Sequence, residues 1–116
     1  MENVKLATGK NDVNGKPIIQ TGKSNDTHVK YMVDVHNRKI KPDHSWTKFK
    51  PGSIGFSIFS AMVKFKKISV FDIAHFYSEI GHENGRNRNN LMVWGSNART
   101  AGIKCVSKYG IFSIDK

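Results

Sequence analysis

The spacing of apolar side chains changes several times along the chain, and each change marks an element. From Val29 to Val35 the order V-K-Y-M-V-D-V sets Val29, Tyr31, Val33 and Val35 against Lys30, Met32 and Asp34. This alternation predicts a half-buried strand over about residues 29–36. Beyond Ser53, Phe56, Phe59 and Val63 recur at i, i+3 and i+7, while Ile58, Met62 and Phe65 cover a second side. That pattern predicts a helix over about residues 54–66 buried on two faces. Ser69 and Asp72 have the spacing of a capping box, and Val70, Ile73, Ala74 and Tyr77 follow at helical intervals, so a second helix is expected over about 70–80. The stretch GHENGRNRN cannot continue it. A third helix, over about 89–101, places Leu91, Trp94, Ala98 and Ala101 on one stripe and polar residues opposite, with Gly102 as its stop. Ile103, Cys105, Ile111 and Phe112 then flank a Ser107-Lys108-Tyr109-Gly110 turn, which predicts a hairpin over about 103–114.

Residues 1 to about 27 contain no aromatic side chain and are rich in Gly, Asn, Lys, Thr and Asp, so burial offers little against the entropy of ordering them. A flexible basic arm is expected there. The Asn14-Gly15 pair is a type I′ turn signal, but its flanks lack alternation, and a short, marginal hairpin is the most it predicts. The segment HNRKIKPDHSWTKFKPG reads as a connector pinned at Trp46. The expected organisation is one domain of about residues 28–116 behind the arm at 1–27, with an α+β core of three helices, a C-terminal hairpin and an N-terminal strand.

With 116 residues and 38% hydrophobic content, the chain can close one modest core. Nineteen Lys and Arg against nine Asp and Glu give a formal charge of +10, which points to a polyanionic partner, with nucleic acid first. Residues 1–53 and 54–116 each carry +5, so charge alone does not locate a site. The lone Cys105 forms no internal disulfide, which favours an intracellular, cytoplasmic setting, nucleoid-associated if the source is a bacterium or phage. The polar opening MENVKLATGKNDVNGK lacks the apolar stretch of a signal peptide. No apolar run is long enough to span a membrane, and no basic amphipathic helix suits insertion at its surface.

The succession of helix, capped helix, loop, helix with a polar face and basic-tipped hairpin, closing on ARTAGIKCVSKYGIFSI, resembles the winged helix-turn-helix superfamily over about residues 54–114. The resemblance implies a non-enzymatic DNA-binding protein that prefers duplex DNA over RNA, with the third helix in the major groove and the hairpin as wing. It assigns Asn89, Asn90, Ser96, Asn97, Arg99 and Thr100 to the groove, and Lys104, Lys108 and Tyr109 to the wing. Arg86 and Arg88, just before the helix, would meet a phosphate near its N-terminus. Lys5, Lys10, Lys16 and Lys23 of the arm would add salt-sensitive phosphate contacts. Two departures favour a phosphate-directed or architectural binder over a sequence-specific repressor. Gly95 lies in mid-helix, at a cost of about 1 kcal/mol relative to Ala. The loop from Gly81 to Asn89 is also longer than a compact helix-turn-helix needs. The plainer reading of NGRNRNN is a solvated loop and helix cap, set below nucleic-acid contact because of the +10 charge.

Other functions leave weaker traces. Asp34 and His36 share a face of the expected strand, with Arg38 and His44 nearby, a set that would suit acid–base cleavage of RNA by a small basic ribonuclease or toxin. The plainer reading is that His28, His36 and His44 are surface residues. An inhibitor or adaptor docking an acidic protein surface, and an RNA binder, also fit the charge. No HExxH, CxxC or phosphate-cradling glycine loop is present, so neither metal nor cofactor is expected. Trp46, Trp94 and Cys105 are expected in the core. The apolar patch of Ile58, Met62 and Phe65 would be covered by the N-terminal strand or by a second copy of the chain, which leaves a homodimer open.

Overall fold

The computed structural model describes residues 3–42, 49–50, 52–82 and 88–114. Within them the chain is mixed α+β, with four helices and two small antiparallel sheets. Strands β1 (Asn3–Asn11) and β2 (Pro17–Lys23) form a hairpin, and helices α1 (Asp26–His36) and α2 (Ile54–Phe65) follow. Then come β3 (Lys67–Ser69), α3 (Val70–Glu79), α4 (Arg88–Thr100), β4 (Cys105–Lys108) and β5 (Ile111–Ile114). The second sheet has the order β3-β5-β4, so β5 is central and Ile68 pairs with Phe112.

The arm expected at residues 1–27 is instead an ordered hairpin. Asp12 closes its turn by accepting from the amides of Asn14 and Lys16 at 2.9 and 3.0 Å, and only Gly15 takes a positive φ, so this is a three-residue loop rather than a type I′ turn. The hairpin is also anchored. Leu6 is completely buried in the main core, and Gly22 lies so close to the Phe71 ring of α3 that a Cβ there would clash with it. Polar composition concealed these two contacts, because one leucine and one glycine are enough to dock the base of the hairpin. Its turn end, around the fully exposed Val13, stays in solvent.

The segment expected as a strand over 29–36 is helix α1. Val29, Met32 and Val35 are its buried residues, at i, i+3 and i+6. V-K-Y-M-V-D-V satisfies both periods, and local capping decides between them. Asn25 accepts from the amides of Thr27 and His28, and Asp26 occupies the first turn, where the helix dipole favours it. Met32, expected on the outer side, is fully buried.

Helices α2, α3 and α4 occur where apolar periodicity placed them. Every residue from Gly55 to Met62 is buried, as a helix packed on two faces requires. The Ile58, Met62 and Phe65 patch is covered in cis by α1, whose His28 and Tyr31 rings stand 4.3 and 5.3 Å from that of Phe65. The capping box of α3 forms, with Ser69 and Asp72 each accepting from the other's amide. One core joins Leu6 of the hairpin, Met32 of α1, Ile58 of α2, Ile73 of α3, Leu91 of α4 and Phe112 of β5. The described residues of 1–27 and of 28–116 therefore share a core rather than dividing into arm and domain. No helix among the described residues is long and apolar enough to cross a membrane.

Candidate nucleic-acid interface

Helix α4 buries Leu91, Gly95 and Ala98 along one stripe. Trp94 reinforces it from the side. Its indole N–H donates to the Tyr77 hydroxyl at 2.8 Å, and its ring meets Phe59 edge-on at 5.8 Å. Burial pushes the Tyr77 hydroxyl above its ordinary range, with the Trp94 bond pulling the other way. Trp94 is thus a packing residue.

Gly95, the apparent flaw in α4, has a structural reason. A Cβ there would clash with Ser107 Oγ and stand 3.1 Å from the Phe112 ring, so the helix backbone lies directly on the β4–β5 hairpin. Seating the stripe there turns Asn90, Val93, Ser96, Arg99 and Thr100 outward, all exposed, with Asn97 half-buried.

These polar side chains differ in what they already bind. Arg99 folds back, donating from Nη1 to the Cys105 carbonyl at 3.0 Å and from Nη2 to Ser96 Oγ at 3.3 Å. Thr100 donates to the Ser96 carbonyl at 3.0 Å. Arg99 is therefore a staple between α4 and β4, keeping only part of its donor set for a ligand. No hydrogen bond within the described chain engages the side chains of Asn90 or Asn97. Arg88 and Asn89 open α4, and Arg86 lies outside the described residues.

The hairpin turn is two residues, Tyr109 and Gly110, with φ of 55° and 74°, both positive as a type I′ turn demands. The turn itself is held down, because the Gly110 carbonyl accepts from the Val70 amide at 2.8 Å. What projects is small: Lys104 and Lys108 are exposed, and Lys108 Nζ lies 5.5 Å from the ring centroid of Tyr109, itself 83% exposed. Cys105 lies inward beneath them, where burial pushes its thiol above the ordinary range against the pull of Arg99. From residue 84 to residue 114 the sequence holds five Arg or Lys and no Asp or Glu, so this stretch itself carries no side-chain charge that repels an anion.

The catalytic alternative loses its geometry. On a helix, Asp34 and His36 are two positions apart and point to roughly opposite sides rather than along one face. The His36 ring instead packs edge-on against Phe76 at 5.8 Å, and its Nδ1 is buried without a partner. His44 lies outside the described residues.

A constellation that sequence reading missed joins the end of β2 to α3. Ser24 Oγ is 2.7 Å from His75 Nδ1, and His75 Nε2 is 3.0 Å from Glu79 Oε1. Only the i, i+4 pair His75 and Glu79 was visible along the sequence, since Ser24 is 51 positions away. The order of groups is that of a nucleophile, base and acid, but Ser24 is fully buried beneath the hairpin and no substrate carbonyl could reach it. The set is a tether. Among the described residues no group of three or more His, Cys, Asp or Glu is placed to hold a metal ion. No protein-family model matches the chain, and neither does any curated protein or solved structure.

Proposed function

We propose that the chain is a non-enzymatic duplex-DNA-binding protein that uses the outer face of α4 and the β4–β5 hairpin in the manner of a winged helix-turn-helix. The carrying observation is the seating of α4 on the hairpin at Gly95, which turns a polar helix face outward alongside exposed Lys104 and Lys108. The order α2, β3, α3, α4, β4, β5 with a β3-β5-β4 sheet supports the resemblance in connectivity as well as in element type. A helix face of this width fits the major groove, and unengaged Asn side chains match adenine edges there. The short wing and the back-folded Arg99 favour a binder directed mainly at phosphate, acting in the compartment that holds the DNA.

The test is fluorescence anisotropy with labelled duplex DNA, single-stranded DNA and RNA across a salt series. Duplex affinity should be highest and should fall with salt at a slope of about 0.9 per phosphate neutralised. Absence of duplex binding at low salt refutes the reading, and preference for RNA reassigns the partner. Asn97→Ala separates base reading from charge: a base reader loses discrimination between duplex sequences, and a pure phosphate binder does not.

A further inference from the structure

Part of the positive charge lies outside that interface. Arg38, Lys41 and Lys50 border a pocket of about 510 Å³ whose remaining described lining is Val35, Ile40, Pro42 and Phe56. Volumes of roughly 300–1,000 Å³ are usual for small-molecule sites. Val35 and Phe56 are each 1% exposed and belong to the packed interior, so the floor is firm and apolar. The three cations supply a rim of one sign, with no described acidic side chain lining the pocket to neutralise it.

Arg38 is held at this rim against its own backbone preference. Its φ is 62°, the left-handed region usually left to Gly or Asn at a helix end, where a Cβ costs about 1–2 kcal/mol. The end of α1 fixes that conformation, with the Arg38 amide donating to the Val35 carbonyl at 3.1 Å and the Lys39 amide to the Asp34 carbonyl at 2.8 Å. The guanidinium lies over Gly52, where an added Cβ would stand 3.1 Å from Nη2 and 3.3 Å from Nε. A glycine would close α1 without strain. An arginine there adds a planar cation at the mouth of an apolar pocket, and strained residues of this kind concentrate at ligand clamps.

We propose that this pocket binds a small molecule with an apolar body and one anionic head, of the class of an aromatic carboxylate or phosphate ester. The body rests on Ile40 and Pro42, backed by the buried Val35 and Phe56, and the head sits among Arg38, Lys41 and Lys50. An apolar ligand alone leaves the three cations without a counterion among the described residues, and inorganic phosphate alone leaves Ile40 and Pro42 uncovered. Only a ligand with both parts satisfies floor and rim together. The proposal is independent of DNA binding.

The experiment is an amide NMR titration of the full chain with three probes: 2-naphthoate, 2-naphthalenemethanol and inorganic phosphate. Naphthoate should saturate, shift amides of residues 35–41, Lys50 and Phe56, and bind at least tenfold more tightly than either other probe, as one charge-assisted contact implies. Arg38→Gly keeps the left-handed backbone and should retain the melting temperature while weakening naphthoate about tenfold, and Lys50→Gln should weaken it severalfold. Equal affinity for phosphate reduces the site to a basic surface, and equal affinity for the alcohol reduces it to an apolar cleft. Shifts scattered over the molecule, or undiminished affinity in both variants, likewise overturn the proposal.

Discussion

At Asp72 a buried carboxylate gathers the amides of Asn25 and Ser69 and the ring of His28, at 2.7, 3.0 and 3.0 Å. On the outer face of α4, by contrast, the side chains of Asn90 and Asn97 bind nothing else in the described chain. Both regions are polar, and both include the first turns or exposed face of a helix. The difference is direction. Around Asp72 each donor completes a cap and ties α1 to α3, so the polar groups explain the fold and leave little for a ligand. On α4 the packing stripe is complete without the side chains of Asn90 and Asn97, which are therefore available. Unassigned polar chemistry points to function here, and titratable side chains in themselves do not. Ser24, His75 and Glu79 make the same point, since their catalytic-looking order serves to tether the chain and Ser24 itself is fully buried.

The contrast breaks most forcefully at Asp72. Asp72→Ala removes the α3 capping box and leaves the Asn25 amide and His28 ring without their acceptor, a combined loss expected at about 3 kcal/mol. Urea denaturation measures it. A loss under about 1 kcal/mol would show that the junction is not the tie described here. Gly95→Ala comes next. Helix propensity favours alanine by about 1 kcal/mol, but the new methyl must displace Ser107 and Phe112, and overpacking of this kind destabilises by roughly 1–3 kcal/mol. A net loss in thermal melting, despite the better helix former, is the expected sign; a gain would mean that α4 does not lie on the hairpin.

How much of this contrast was legible in the sequence follows from which contacts are local. The capping box at Ser69 and Asp72, the two-faced α2 and the exposed face of α4 are set by residues within one or two turns, and spacing displays them directly. Helix α1 was ambiguous because V-K-Y-M-V-D-V satisfies periods of two and of 3.6. The deciding signal, Asn25 and Asp26 ahead of it, lay inside a stretch judged too polar to be ordered. The hairpin failed for a related reason, since Leu6 and Gly22 dock through α3 and α4, far along the chain. Within the candidate site, residue types identified the outward face of α4, but whether Arg99 is a staple or a reader depends on the path of the chain after Gly102. That path is tertiary.

On the α4 side, paired replacement of Lys104 and Lys108 by Gln should leave stability within about 0.5 kcal/mol, because neither residue is buried or capped. The same pair should weaken duplex binding across all sequences and reduce the salt slope by about two. Loss of stability with binding intact would invert the comparison and make the hairpin lysines structural.

The smallest expected effect comes from the thiol beneath those lysines. Cys105 is 4% exposed and its folded pKa lies above the ordinary 9.0, so its neutral form is favoured by folding. Below the unfolded value both states hold the proton and the stabilisation is intact. As pH rises beyond about 9 the unfolded chain ionises first, binds fewer protons than the native state, and is favoured. Burial raises Tyr31 and Tyr77 above 10.0 in the same sense, so their contribution declines at still higher pH. The melting temperature should hold from pH 7 to about 8.5 and then fall, with Cys105→Ala showing a shallower decline over the first part of that range. In the native protein at pH 8, a thiol reagent should label Cys105 only slowly, and in denaturant at once. Rapid native labelling would place the thiol, and with it the inner face of β4, in solvent, and the division between a sealed interior and an available outer face would fail at the hairpin.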